Sequence, residues 1–234
     1  MRPNAMTQMD YHYTTKKSGP STIENAPIKL KVCGMNKNTT EIAGLRPDYL
    51  GFIFWEKSKR HFTGPMPPVP HTVRKVGVFV DARIQTVVER IQDHDLLLVQ
   101  LHGSETPEYC AELKLKVKHI GIIKVFSIKN EFDFGILKPY ETVCDFFLFD
   151  TKGKLPGGNG YAFDWEVLKD YPSTKPYFLS GGIGLNEVDS LKKFMTRPEA
   201  KYCHAIDVNS KFEIEPGLKD VEKVKEFKRV LSIE

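Results

Sequence analysis

Long apolar runs are missing from this chain. No stretch of its 234 residues approaches the roughly 18 consecutive apolar residues that a membrane-spanning helix needs. Residues 1–27 are polar and lack the apolar core of a signal peptide, so we expect a flexible head or a remnant of cloning there. These absences predict a cytoplasmic protein with no membrane partner.

The chain also has few cysteines and only a small excess of positive over negative charge. The four cysteines show no CxxC spacing and no accompanying histidine cluster, so we expect reduced thiols and no metal site. The 34 basic and 30 acidic residues leave a net charge of +4. That excess is small and scattered, whereas nucleic acid would require a concentrated basic face. We therefore expect no nucleic-acid partner.

Short apolar runs, by contrast, recur along the chain. Most are apolar nearly throughout, which is typical of strands covered on both faces. We predict eight strands, at residues 29–33, 49–54, 75–80, 96–101, 119–126, 144–149, 176–180 and 204–208.

Helical segments separate several of these strands. We predict helices at residues 83–93, 107–116, 164–170, 186–195 and 218–232. Segment 63–70 contains four prolines and cannot form a normal helix, so the helix after the second strand is shortened or missing. The alternation predicts a single-domain (β/α)₈ TIM barrel over residues 28–234. A doubly wound open sheet is the alternative, but no GxGxxG turn follows the first strand.

Two strand ends carry reactive side chains. Cys33 closes the first strand, and Asp150 closes the apolar run of the sixth. In a parallel barrel all strands end on one face, so the two side chains can meet in an active site. Taken singly, Cys33 could be a small core residue and Asp150 a carboxylate that caps a loop.

Glycine-containing loops follow the last two predicted strands. The segment SGGIG at 180–184 follows the seventh strand, and DVNS at 207–210 ends the eighth. Barrels often bind phosphate in these two loops through backbone N–H groups and a helix N-terminus. Tight turns without a ligand are the alternative interpretation.

Nine short motifs in order resemble the phosphoribosylanthranilate isomerase family of tryptophan biosynthesis. They are KVCGM at 31–35, GFIFWEKSKR at 51–60, VGVFV at 76–80, VQLHG at 99–103, FDTK at 149–152, GGNG at 157–160, FDW at 163–165, LSGG at 179–182 and AIDVNS at 205–210. The resemblance implies a (β/α)₈ fold without metal or cofactor. It also implies an Amadori rearrangement of N-(5-phosphoribosyl)anthranilate to 1-(2-carboxyphenylamino)-1-deoxyribulose 5-phosphate.

The same resemblance assigns catalytic roles. It makes Asp150 the general acid, Cys33 the general base and Arg60 the ligand of the anthranilate carboxylate. An aspartate is normally ionised at neutral pH and a cysteine is normally not, so both roles require a pocket that changes the protonation state. Asp207 could bind the ribose hydroxyls or brace a neighbour, and we interpret His102 as a structural histidine.

The phosphate of the substrate is assigned, by the same resemblance, to Gly181, Gly182, Asn209 and Ser210. Lys211 stands where the family usually has glycine, which affects the fine geometry of this loop.

Two other functions stay open. A related sugar-phosphate enzyme such as indole-glycerol-phosphate synthase would need catalytic lysines and a glutamate at strand ends, whereas the first strand ends in Cys33. A non-catalytic phosphate-binding barrel would bind substrate analogues without turnover. In either case we expect a phosphorylated sugar as the ligand, and a monomer or homodimer.

Overall fold

Eight parallel strands form a closed barrel in the computed structural model, which describes residues 28–129, 131–151 and 165–233. Each strand pairs with the next, and the eighth pairs with the first, which excludes an open sheet. The predicted TIM barrel is therefore confirmed. The head (1–27) and the GGNG motif (157–160) lie outside the described residues. The strands are β1 (Lys29–Cys33), β2 (Tyr49–Ile53), β3 (Arg74–Phe79), β4 (Leu98–Leu101), β5 (Gly121–Ile128), β6 (Phe146–Thr151), β7 (Tyr177–Leu179) and β8 (Cys203–Val208).

Five α-helices and five short 3₁₀ helices surround the barrel in the described part of the chain. The α-helices are α1 (Thr39–Gly44), α2 (Ile84–His94), α3 (Pro107–Lys116), α4 (Val188–Met195) and α5 (Val221–Val230). The 3₁₀ helices span Phe134–Tyr140, Trp165–Asp170, Leu185–Glu187, Pro198–Tyr202 and Ser210–Phe212. None of these helices is long and apolar enough to cross a membrane.

The strands are apolar on both faces because each face is buried. One set of side chains packs outward against the helices. The other set fills the barrel interior, as expected for a small barrel without a pore. The interior set comprises Tyr49, Val76, Leu98, Ile123, Val125, Leu148, Phe178 and Ala205.

The loop after β2 (residues 54–73) contains no helix, as its prolines predict. Aromatic packing holds it instead, because the Phe62 ring contacts the rings of Phe52 and Phe54 edge-on. The Phe62 N–H donates to the Ile53 carbonyl at 2.8 Å, which fixes the loop to the end of β2. This loop carries Arg60, so its anchoring positions part of the site.

The outer face of β5, β6 and β7 is covered mainly by aromatic rings. Only short 3₁₀ helices are described after β5 and before β7, at Phe134–Tyr140 and Trp165–Asp170. Edge-to-face ring pairs fill the space that α-helices occupy elsewhere. This aromatic cover consists of Phe126, Phe132, Phe134, Phe147, Phe149, Tyr171 and Tyr177.

Several predicted boundaries are wrong: β4, β5 and β6 each begin two residues later than predicted, and the last helix begins three residues later. Strand β6 begins two residues later than the predicted 144–149, because the Cys144 N–H bonds the Tyr140 carbonyl and ends the preceding turn. Asp150 therefore lies within β6 rather than after it. The last helix begins at Val221, not at 218, because the Asp220 side chain caps it through the Lys223 N–H at 3.1 Å.

The residues before that helix form a small hairpin instead. Strand β9 (Glu213–Glu215) pairs antiparallel with β10 (Leu218–Lys219), and Gly217 makes the turn with φ of 83°. Positive φ favours glycine, so the turn follows from the sequence at this position. The hairpin lies directly after the predicted phosphate loop of β8.

At the N-terminal end of the barrel, β7 and β8 shift register so that His204 faces the interior. Its Nε2 lies 2.7 Å from the Tyr49 hydroxyl oxygen, and its ring contacts Phe146 and Phe178. Burial, together with the nearby charges of Lys29 and Arg74, lowers the pKa of His204 to about 4. His204 is therefore neutral in the folded protein at physiological pH.

Candidate active site

The predicted base lies above a buried ion pair. Cys33 is the last residue of β1 and is 5% exposed. Lys31 lies two residues earlier and so on the same face of the strand. Its ammonium is fully buried and pairs with the Asp207 carboxylate of β8 at 2.9 Å. Inside the barrel, β1 and β8 thus present a thiol, an ammonium and a carboxylate together.

These charges act on the Cys33 thiol in opposite directions. Burial is the largest influence and holds the pKa of Cys33 above its usual value; the ammonium groups of Lys31 and Lys219 lower the pKa in part, and the Asp207 carboxylate raises it further. Burial alone would lower the pKa of Lys31, but Asp207 and the Cys33 sulfur reverse that and raise it. Lys31 is therefore charged, and it favours the thiolate that a base requires.

Three segments of the site converge at Gly34. This residue has φ of 74°, and a Cβ added to it would lie 2.6 Å from Asn209 Oδ1 and 2.7 Å from Arg60 Cδ. Only glycine avoids both the conformational strain and these clashes. The turn after β1, the loop after β2 and the loop after β8 therefore meet at one point.

Arg60 is held by a carboxylate that the sequence did not single out. Its Nε lies 2.8 Å from Glu213 Oε1, and its Nη2 lies 2.6 Å from Glu213 Oε2. Glu213 belongs to β9 and is 5% exposed, while the Arg60 side chain is 22% exposed. This bidentate pairing raises the pKa of Arg60. It fixes the plane of the guanidinium at the edge of the site.

Lys219 of β10 connects the same carboxylate to the loop after β8. Its Nζ lies 2.8 Å from Glu213 Oε1 and 2.7 Å from Asn209 Oδ1, and the side chain is fully buried. Burial lowers the pKa of Lys219, against the pull of Glu213. Although burial would raise the pKa of Glu213, Arg60 and Lys219 outweigh it and lower that pKa.

The predicted acid lies on the other side of the barrel mouth. Asp150 of β6 is 27% exposed, and its Oδ2 lies 3.6 Å from Nε2 of His102, the residue after β4. His102 thus contacts a predicted catalytic side chain at the rim. Asp207 interacts electrostatically with both Asp150 and Cys33, so it connects the two predicted catalytic groups.

The two predicted phosphate loops lie side by side. Gly181 and Gly182 have φ of 93° and 66°, so the loop after β7 uses the left-handed region twice. A Cβ on Gly184 would lie 3.1 Å from the Cβ of Lys211, which places the loop after β8 against it. Lys211 itself is exposed. The stem of its side chain lies against Gly184, so Lys211 belongs to the contact between the two loops.

Sequence reasoning missed three charged residues of this site, Lys31, Glu213 and Lys219. The signal for Lys31 was present, because it alternates with Cys33 in β1. No periodic pattern marked Glu213 or Lys219. Within residues 28–129, 131–151 and 165–233, no cluster of histidine, cysteine and acidic side chains is arranged to hold a metal ion.

A closed parallel barrel with a thiol, a carboxyl and two glycine loops at its C-terminal mouth defines the class of TIM-barrel enzymes. Within that class, a family model described as N-(5'-phosphoribosyl)anthranilate (PRA) isomerase matches residues 30–230. The chain belongs to this enzyme family, which acts in tryptophan biosynthesis.

Relatives and solved structures agree with that assignment. The chain is similar to N-(5'-phosphoribosyl)anthranilate isomerases of Parabacteroides distasonis (41% identical, 85% of this chain and 90% of that one) and Phocaeicola vulgatus (40%, 85% and 95%). The Thermus thermophilus phosphoribosyl anthranilate isomerase structure is 26% identical with a TM-score of 0.71, over 88% of this chain and 100% of that one. A phosphoribosyl anthranilate isomerase in complex with reduced 1-(o-carboxyphenylamino)-1-deoxyribulose 5-phosphate is 26% identical with a TM-score of 0.68, over 88% and 98%.

Proposed function

We propose that this protein isomerises N-(5-phosphoribosyl)anthranilate to 1-(2-carboxyphenylamino)-1-deoxyribulose 5-phosphate, with Asp150 as general acid and Cys33 as general base. The convergence at Gly34 is the observation that supports it best. There the predicted base, the predicted carboxylate ligand Arg60 and the predicted phosphate ligand Asn209 are brought within contact of one turn. The predicted base and the predicted ligands of the two anionic groups of the substrate therefore belong to one site.

In the first step, the protonated Asp150 carboxyl delivers its proton to the ribose ring oxygen. The C1–O bond breaks as the anthranilate nitrogen lone pair forms a C=N bond to C1, giving an open-chain iminium ion. The Asp150 side chain is partly exposed at the mouth, where a substrate can reach it. The acid assignment is a prediction of the resemblance, and this position is compatible with it.

In the second step, the Cys33 thiolate removes the proton from C2. The electron pair of the C–H bond forms the C1–C2 double bond of an enolamine and neutralises the iminium nitrogen. The enolamine then gains a proton at C1 and loses the proton of its C2 hydroxyl, which yields the ketose. The positive charges of Lys31 and Lys219 favour the thiolate that starts this step.

Binding uses the two ends of the site. The anthranilate carboxylate takes the open edge of Arg60, because Glu213 already occupies its Nε and Nη2. Backbone N–H groups of Gly181, Gly182, Asn209 and Ser210 receive the phosphate. Asp207 is engaged with Lys31, which supports the bracing role, and its contact with the ribose stays a prediction.

Turnover of freshly generated N-(5-phosphoribosyl)anthranilate, followed by the loss of its anthranilate-type fluorescence, tests the proposal. We expect the wild type to turn over, and Cys33→Ser and Asp150→Asn to lose several orders of magnitude in kcat while staying folded. Cys203→Ser serves as a matched control, because that thiol lies at the opposite, N-terminal end of β8.

Other outcomes identify the competing functions. A wild type that binds the product analogue without turnover would be a phosphate-binding barrel. Formation of an indole product would identify the synthase chemistry.

We further propose a cytoplasmic monomer or homodimer. Light scattering gives its mass, and the four free cysteines are compatible with a reducing compartment.

A further inference from the structure

We propose that Glu213 and Lys219 are positioning residues that link the carboxylate-binding end of the site to its phosphate-binding end. The inference rests on the proposed function, because it takes Arg60 and Asn209 as the ligands of the two ends. It assigns a binding role to the hairpin of β9 and β10, beyond the effect of the Lys219 charge on the Cys33 thiol.

The link is a continuous chain of short polar contacts. Arg60 Nη2 lies 2.6 Å from Glu213 Oε2, Glu213 Oε1 lies 2.8 Å from Lys219 Nζ, and that Nζ lies 2.7 Å from Asn209 Oδ1. Glu213 Oε1 thus accepts from both cations, while Oε2 accepts from Arg60. These contacts join four side chains from the loop after β2, the loop after β8 and the hairpin into one network.

Glu213 determines which edge of Arg60 faces the substrate. Its two oxygens accept from Nε and Nη2, and among the described residues Nη1 has no acceptor. A carboxylate can therefore approach Nη1 and the outer side of Nη2. If Glu213 were absent, the guanidinium could rotate and lose this preorganised edge.

Lys219 connects Glu213 to the predicted phosphate loop after β8. Besides Asn209 Oδ1, its Nζ also contacts the Asn209 carbonyl at 3.3 Å. The Lys219 backbone is clamped by Asn38, which donates to its carbonyl at 2.8 Å and accepts from its N–H at 2.9 Å. The Lys219 side chain is buried on a fixed backbone and has little freedom. Replacing Glu213 therefore changes the contacts that Lys219 makes with Asn209.

The variant Glu213→Gln tests the link. The amide keeps the size of the side chain but carries no charge and offers one acceptor oxygen instead of two. We expect at least a tenfold rise in KM for the substrate, with kcat within threefold of wild type. The control is Glu215→Gln on the same strand, because the Glu215 side chain makes only an exposed ion pair, with Lys37, in the part of the chain that the structure describes. We expect it to match wild type in both constants.

A double-mutant cycle separates positioning from general destabilisation. If Glu213 acts partly through Arg60, then Glu213→Gln raises KM by only about threefold in an Arg60→Met background, because only its effect on the phosphate loop remains. Additive effects would overturn the inference. The melting temperature of each variant is measured alongside, and Glu213→Asp is the second variant if Glu213→Gln does not fold. We expect Glu213→Asp to keep part of the wild-type KM, since it retains the charge.

Binding of inorganic phosphate by calorimetry provides a readout that does not depend on turnover. We expect at least threefold weaker binding in Glu213→Gln and in Lys219→Met, with no change in Glu215→Gln. Unchanged phosphate affinity in both variants would overturn the link even if KM rises. An inactive wild type that shows the expected phosphate pattern would refute the proposed reaction and leave the link supported. A wild type that binds no phosphate would overturn both.

Discussion

The buried histidine at the N-terminal end of the barrel makes stability depend on pH. The folded pKa of His204 is about 4, whereas its ordinary value is 6.5. The unfolded chain therefore binds the proton more tightly than the folded chain does. It follows that the free energy of unfolding falls as the pH drops through 6.5 and stops falling from this cause below 4.

The size of this effect follows from the two pKa values. Between pH 7 and pH 5, protonation of the unfolded state lowers the free energy of unfolding by about 2 kcal/mol. By pH 4 the decrease reaches about 3 kcal/mol. Physically, the positive charge would be placed among the rings of Phe146 and Phe178, near Lys29 and Arg74. None of these neighbours stabilises a cation as well as water does.

Urea unfolding at pH 7 and pH 5 measures the effect in wild type, His204→Gln and His119→Gln. Glutamine can still hydrogen-bond the Tyr49 hydroxyl but does not titrate. We therefore expect the free energy of unfolding of His204→Gln to fall by about 2 kcal/mol less than that of wild type between pH 7 and pH 5. His119 is exposed and serves as the matched control, which should follow wild type. Equal losses in wild type and His204→Gln would refute the reasoning, as would an NMR titration of His204 with a midpoint near 6.5.

Three further predictions concern the site and the head. Gly34→Ala, which forces a Cβ against Asn209, should lower kcat/KM at least tenfold and the melting temperature by several degrees, both measured on purified protein. Lys31→Met should raise the pKa of Cys33, seen as a shift to higher pH of its alkylation by iodoacetamide in peptide mass spectrometry. An unshifted profile would remove Lys31 from the activation of the thiol. Deletion of residues 1–27 should leave kcat/KM within tenfold of the full chain, because every proposed site residue lies in the barrel.

The barrel could be predicted from sequence because most strands are short runs that are apolar nearly throughout and recur along the chain. That regularity comes from burial on both faces, which the sequence records directly. The apolar pattern predicted the first and last residues of the strands and helices less well. The predicted strand included Asp145 because the apolar Cys144 precedes it, whereas β6 begins directly after this charged residue, at Phe146. The beginning of α5 depended on the Asp220 cap, which the predicted helix 218–232 had passed over.

The proposed catalytic residues could be named because they lie near the C-terminal ends of strands and within motifs that resemble the family, whereas the residues that hold them could not. Glu213 and Arg60 are 153 positions apart, and only the closed barrel with its final hairpin brings them together. Lys31 was overlooked for a different reason. A lysine is seldom fully buried, so its place in an apolar strand was not interpreted as an inward-facing charge paired with Asp207.

The aromatic cover over β5, β6 and β7 also affects which substitutions this protein can accept as it evolves. Behind an α-helix, aliphatic side chains of similar volume can exchange and repack with little loss of stability. Rings such as Phe149 and Tyr171 meet edge to face, so each depends on the shape and orientation of its neighbours. A single change from ring to aliphatic chain here leaves gaps that the rigid partners cannot close. Sequence drift should therefore be slower on this side of the barrel than behind α2 and α3. A deep mutational scan would show fewer tolerated substitutions at the positions of the aromatic cover than at those behind the two helices.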